Sequence, residues 1–87
     1  MSSNYYVYML RCKDKSIYTG IALDPYKRLE EHNAGTGAKY TRSRRPVKLV
    51  YLETSGDRSA AQSREYALKQ LSHQEKLNLI NSEYNEK

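Results

Sequence analysis

Two short runs rich in β-forming residues, Tyr5 to Arg11 (YYVYMLR) and Ser16 to Ala22 (SIYTGIA), lie only four residues apart. The link between them, Cys12-Lys13-Asp14-Lys15, is polar. Parallel strands need a crossover of a dozen residues or more, so the two runs pair as an antiparallel hairpin. Gly20 sits inside the second run, where glycine weakens a strand. Its presence predicts a bulge, or the close approach of another backbone or a ligand.

The rest of the chain supplies one more strand and the helices to cover the sheet. Asp24-Pro25 predicts a helix start, because Asp accepts from the first free amides and Pro suits the first helical position. That helix runs from Pro25 to about Asn33, and Gly35 stops it. Gly35 to Pro46 (GTGAKYTRSRRP) has two glycines, no apolar period and a dense set of cations, and reads as an ordered basic loop. Val47 to Thr54 (VKLVYLET) is a third strand, and Ser55-Gly56-Asp57 a turn. From about Arg58 the helical period returns, with Ala60, Ala61, Ala67, Leu68 and Leu71 on one arc. Ser72 and Glu75 form a capping box that divides this region into two helices. The last helix buries Leu77, Ile80 and Tyr84, and Asn85 to Lys87 fray. The fold class is α/β in the α+β sense: a three-stranded antiparallel sheet flanked by helices, in the order β-β-α-β-α-α. With 87 residues, no repeat and no linker, the chain is one domain over residues 1–87.

Composition narrows the function. Nine tyrosines stand in for the absent Phe and Trp. A buried tyrosine brings a hydroxyl that needs a partner, so some of the nine face a polar site. Lys and Arg number 15 against 10 Asp and Glu, a net charge of +5, which points to a polyanion partner. Cys12 is the only cysteine, so an internal disulfide or a cysteine-based zinc site is excluded. That fits a reducing, cytoplasmic location. Nothing resembles a signal peptide, and no apolar stretch approaches the roughly 20 residues that span a bilayer.

Five positions carry chemistry. Tyr6 and Tyr8 share a strand face, and Tyr18 comes close to Tyr8 across the hairpin if the register allows. Two phenols hold a water or a phosphate oxygen, or form a cross-strand aromatic pair. Arg28 and His32 are four apart on the first helix and lie on one side of it. Such a pair is either a solvated helix face or, facing a cleft, a phosphate site, Arg donating twice and His donating or shuttling a proton. Glu65 falls about 40° from Ala61 and about 60° from Leu68 at 100° per residue, at the border of the apolar arc. A carboxylate there needs a Lys or Arg partner or a hard cation such as Mg²⁺, which often takes one or two protein carboxylates plus water and phosphate. In the loop, Lys39, Tyr40, Thr41, Arg42, Arg44 and Arg45 interleave cations with an aromatic ring, a pattern that suits a phosphate backbone.

Taken in order, these residues resemble a known family. Tyr6-Val7-Tyr8, nine residues, then Tyr18-Thr19-Gly20 is similar to the GIY-YIG motif. The likeness continues with Arg28 and His32 in RLEEHN, GAKYT at Gly37 to Thr41, and Glu65 in AAQSREYALK. It spans Tyr5 to Leu71 and is nearest to the small stand-alone bacterial members. Tyr6 replaces the motif's Gly and Thr19 its Ile. The resemblance implies Mg²⁺- or Mn²⁺-dependent hydrolysis of phosphodiester bonds in DNA, in repair or recombination. It makes Glu65 the metal ligand and Arg28 the holder of the scissile phosphate. It makes Tyr8, or else Tyr18, the group that activates water, His32 an aid to proton transfer, and Gly20 a point of close approach for phosphate or a partner side chain. Family nucleases often use a second domain to find their target, so either this chain cuts with little specificity or a partner protein or a homodimer supplies it. A binding module without catalysis, and an accessory subunit of a larger repair complex, use the same basic surface.

Overall fold

The computed structural model describes residues 4–84. The hairpin forms as expected from β1 (Tyr6–Arg11) and β2 (Ile17–Ala22). Its link closes tightly: Asp14 Oδ1 accepts from both the amide and the hydroxyl of Ser16, and Lys15 takes a φ of 72°. Then follow α1 (Pro25–Ala34) and a short α2 (Lys39–Arg42). The third strand, β3 (Lys48–Thr54), precedes α3 (Arg58–Lys69) and α4 (His73–Tyr84).

The sheet is antiparallel in the order β2-β1-β3, so the first strand is the central one. Covered on both faces, β1 buries Val7, Tyr8, Met9 and Leu10 in unbroken succession. A strand with one solvated face would alternate. Val7 and Met9 pack with Tyr51, with Ala61 and Leu68 of α3, and with Leu77, Leu79 and Ile80 of α4. Tyr8, Leu10 and Cys12 face the opposite side, against Leu29 of α1. A register shift between Met9 and Leu10 falls on the β3 side of β1.

The capping residues act as the sequence predicts. Asp24 Oδ1 accepts from the Lys27 amide, and Gly35 closes α1 at a φ of 86°. Asp57, which the sequence places only in a turn, also caps α3 by accepting from the Ala60 amide. Ser72 and Glu75 complete their reciprocal box at 3.1 and 2.8 Å. Two expectations need correction. The segment read as an unbroken basic loop contains the one-turn helix α2. The apolar arc of α3 is narrower than its alanines suggest: Ala61 and Leu68 are buried, whereas Ala60 and Ala67 are exposed. The expected burial of Tyr84 and fraying of Asn85 to Lys87 lie outside what the described residues cover. Among those residues no helix is long and apolar enough to cross a membrane.

Among the described residues, Thr19 is the buried position where the core conflicts with its chemistry. It pairs with Met9 and is 3% exposed, yet among the described residues its hydroxyl finds no partner. A buried, unsatisfied hydroxyl costs about 1–3 kcal/mol. Thr19→Val keeps the β-branched shape and removes that cost. The expected result is a gain of about 1 kcal/mol, or roughly 4–8 °C in Tm for a chain of this size. Thermal and urea unfolding measure it, and a loss of stability would contradict the assignment.

Candidate active site

The hairpin register sets the two motif tyrosines. Tyr8 lies opposite Gly20, and Tyr18 opposite Leu10. The Tyr8 side chain lies across the strand over Gly20. A Cβ at residue 20 would stand 2.7 Å from the Tyr8 hydroxyl, 2.8 Å from Cζ and 3.2 Å from Tyr18 Cε2. No register shift occurs between β1 and β2, so the glycine is there for the phenol and not for a bulge. The two rings sit 6.4 Å apart, tilted at 47°. Tyr8 is buried, whereas solvent reaches part of Tyr18.

Behind Tyr8 runs a chain of hydrogen bonds. His32, fully buried on the last turn of α1, has Nε2 3.0 Å from the Tyr8 hydroxyl. Its Nδ1 lies 2.7 Å from Thr41 Oγ1, and Thr41 donates to the Ala38 carbonyl at 3.0 Å. One proton per group allows two orders, and the three shortest contacts select between them. Tyr8 donates to Nε2, Nδ1–H donates to Thr41, and Thr41 donates to the carbonyl. This order satisfies the three short contacts. The longer approach of the Ala38 amide to Nδ1, at 3.3 Å, belongs to the other tautomer. Gly37 makes room for the imidazole, because a Cβ there would meet Nδ1 at 2.5 Å and the His32 backbone at 2.9 Å. Thr41 was expected among the nucleic-acid contacts, but no surface of it is left for a phosphate. It holds His32 from behind.

The charged groups converge from two elements. Arg28 donates to Glu31 at 2.6 Å and lies near enough to the Tyr8 phenol to act on its electrostatics. That bond to Glu31 chiefly raises the Arg28 pKa. Burial, with Tyr18 beside it and Glu65 in range, pushes the Tyr8 phenol up to about 12, and Arg28 works in the opposite direction. Burial first, then Arg28, holds His32 below its ordinary value, against a smaller opposing pull from Glu31. The imidazole is therefore neutral at neutral pH, as the proton count requires.

Glu65 is on α3, which packs against β2. Its side chain is 21% exposed, and Oε2 pairs with Lys69 Nζ at 3.1 Å. Of the two partners the sequence allows, the lysine is the one in place. Such an exposed i,i+4 pair contributes only about 0.3–0.5 kcal/mol and yields readily to a stronger cation. Among the described residues no three His, Cys, Asp or Glu side chains gather as a metal cage. A single carboxylate fits Mg²⁺ or Mn²⁺ that takes its other ligands from water and substrate, and does not fit zinc.

The basic segment divides by role. Tyr40 stacks on Tyr18 at 5.9 Å and 25°, and the Arg44 guanidinium covers its ring at 4.0 Å. Arg44 also donates to Asp14 and to the Tyr40 carbonyl. Arg45 donates to the carbonyls of Arg42 and Asn33, tying the segment to α1. Lys39 and Arg42 are exposed. The structure thus gathers Tyr8, Tyr18, Gly20 and His32 in contact, with Arg28 and Glu65 in electrostatic range of the Tyr8 phenol, and it brings Tyr40 and Arg44 of the basic segment against Tyr18. Sequence reasoning missed the positioning part played by Thr41 and Gly37, whose signal was the compact GAKYT string.

Comparison with known proteins agrees with this geometry. The profile of the GIY-YIG catalytic domain matches residues 4–78. A UPF0213 protein of Clostridium perfringens is 56% identical over 88% of this chain and 83% of its own. Another, of Staphylococcus saprophyticus, is 54% identical over 87% of this chain and 93% of its own. The solution NMR structure of a UPF0213 protein from Bacillus halodurans superposes with a TM-score of 0.57. It is 44% identical and covers 90% of this chain and 83% of that one. The solution structure of a protein from E. faecalis gives a TM-score of 0.61 at 40% identity, over 95% and 92% of the two chains. A match over most of the length, on a fold that gathers both motif tyrosines with Arg28, His32 and Glu65, means that the chain belongs to the GIY-YIG family, among its small UPF0213 proteins.

Proposed function

We propose that this protein is a divalent-metal-dependent endonuclease that hydrolyses phosphodiester bonds in DNA during repair or recombination. The observation that carries the reading is the hydrogen-bonded chain from Tyr8 through His32 to Thr41, with Arg28 beside the phenol. A surface that only binds DNA has no use for a buried proton path.

Glu65 would hold Mg²⁺ or Mn²⁺ with water and a phosphate oxygen, and the ion would neutralise charge at the phosphate. Arg28 exchanges Glu31 for the phosphate and stabilises the charge that develops on its oxygens. A phenol raised to about 12 is a poor base by itself. Tyr8 therefore acts as a relay. The attacking water gives a proton to Tyr8 Oη as Tyr8 passes its own to His32 Nε2. The water oxygen bonds to phosphorus, the bond to the leaving strand oxygen breaks, and that oxygen takes a proton from solvent. Thr41 keeps Nδ1–H pointed away, so that Nε2 is the free acceptor.

The pH dependence follows. Nε2 must be unprotonated, and the folded pKa of His32 lies below its ordinary value. Activity is therefore retained as pH falls through about 6.5, the ordinary histidine value, and drops only at more acid pH. A pH–rate profile under single-turnover conditions shows this. An acid limb centred above pH 6.5 would contradict it.

A non-catalytic nucleic-acid-binding module is the second reading, favoured by the Glu65–Lys69 pair that occupies the carboxylate. Cleavage of labelled single-strand, duplex, flap and four-way-junction DNA with Mg²⁺ or Mn²⁺ separates the two, with Glu65→Gln beside the wild type. The nuclease reading expects at least one DNA to be cut, about 100-fold more slowly by the variant, at equal affinity. Salt-dependent binding with no cleavage by either protein establishes the binding module.

A further inference from the structure

The positive charge of this chain is segregated. Residues 11–15 and 39–48 hold eight of its fifteen Lys and Arg and one of its ten Asp and Glu. The rest of the chain carries more acids than bases. The fold joins the two segments: the Lys13 amide donates to the Arg44 carbonyl at 2.9 Å, and Arg11 pairs with Lys48 across β1 and β3. Two depressions result, meeting at Pro46. Arg11, Lys13, Lys15 and Lys48 line one, and Arg42 and Arg45 the other; no carboxylate lines either. The one acid of the region, Asp14, is occupied by Arg44 and Ser16. Among the described residues, the side chains of Arg11, Lys13, Lys15 and Lys48 make no ion pair or hydrogen bond. The depression beside Arg28 differs, because Asp24 and Glu31 line it together with its cations.

A concave surface of one sign repels itself and concentrates its field on an anion. We infer that this cationic end is a second contact for the phosphate backbone of duplex DNA, several base pairs from the bond that is cut. The inference rests on the nuclease reading and extends it to the kind of substrate. Arg11 lies three residues along β1 from Tyr8, about 10 Å at strand spacing and with its side chain toward the other face of the sheet, and the hairpin link extends beyond the end of the strand, where the two faces meet. A duplex advances about 3.4 Å per base pair, so the second contact falls about three to five base pairs from the scissile phosphate. Single-strand binders offer free aromatic faces on which bases stack. No aromatic side chain lines either depression, and Tyr40, the aromatic residue of the basic segment, is already stacked by Tyr18 and Arg44.

The test is binding of a labelled 16-base-pair duplex and of the matching single strand, in EDTA, across a salt series. It compares the wild type with Lys13→Gln/Lys15→Gln/Lys48→Gln and with Lys76→Gln, a change on α4. For the triple variant on duplex, the slope of log affinity against log salt is expected to fall by about 2–3, with at least tenfold weaker binding. Lys76→Gln leaves the slope unchanged. On the single strand the triple variant and the wild type bind alike. An unchanged slope for the triple variant, an equal loss per charge at Lys76, or an equal loss on single strand overturns the inference. If the wild type cuts DNA and the slope is nonetheless unchanged, only the second contact falls. If the wild type binds no DNA, the nuclease reading falls with it.

Discussion

Replacing Tyr8 with Phe is expected to lower the single-turnover cleavage rate by about two to four orders of magnitude, the usual worth of a positioned acid–base group, with duplex affinity unchanged. Phe keeps the ring over Gly20 and removes only the hydroxyl that meets His32 Nε2. The imidazole then loses its partner, a cost of about 1–3 kcal/mol for a buried polar group, so a lowered Tm accompanies the kinetic loss. Tyr18→Phe is the comparison, because no hydrogen-bonded chain leads from that phenol. Cleavage within threefold of wild type in Tyr8→Phe would place the proton path elsewhere, and Tyr18 would be examined next.

The second large effect is at Arg28. Arg28→Ala is expected to slow cleavage by about 100- to 1,000-fold, as loss of one charge-stabilising donor does. Arg28→Lys restores part of the rate, since an ammonium supplies the charge but not the two-pronged geometry. Stability is a poor guide to this residue. Its ion pair with Glu31 is about one third exposed, and pairs of that kind contribute at most about 1 kcal/mol. An alanine variant that cuts as well as wild type would show that Arg28 serves only Glu31.

Much of this arrangement can be read from the chain before folding. The close spacing of the two β runs forces the hairpin, and Asp24 and the Ser72–Glu75 box announce their helices by local hydrogen-bonding chemistry. Arg28 and His32 are neighbours because any helix makes them so. What depends on long-range packing was not readable. The placement of β3 against β1 decides that the first strand is central, and nothing within either strand records it. Ala60 and Ala67 favour a helix whether buried or exposed, so the width of the α3 apolar face had to come from the packing itself.

The same limit applies to Thr41. A threonine in a basic segment looks like a phosphate contact until α2 turns it inward against His32. Gly20 shows the converse: the sequence demanded a close approach, and the structure names the Tyr8 ring. Glu65 was marked by its place at the edge of the apolar arc, and its two possible partners were a lysine and a cation. Lys69 holds it in this structure, and the mechanism needs the cation to displace it.

The most direct test of the central claim is single-turnover cleavage of a labelled duplex or branched DNA in ¹⁸O-labelled water, with Mg²⁺ and with EDTA. The account predicts cleavage only with the metal, one ¹⁸O atom incorporated at the new terminal phosphate, and loss of the reaction in Tyr8→Phe. Intact DNA after prolonged incubation with Mg²⁺ and with Mn²⁺, or cleavage that persists undiminished in EDTA, would contradict it.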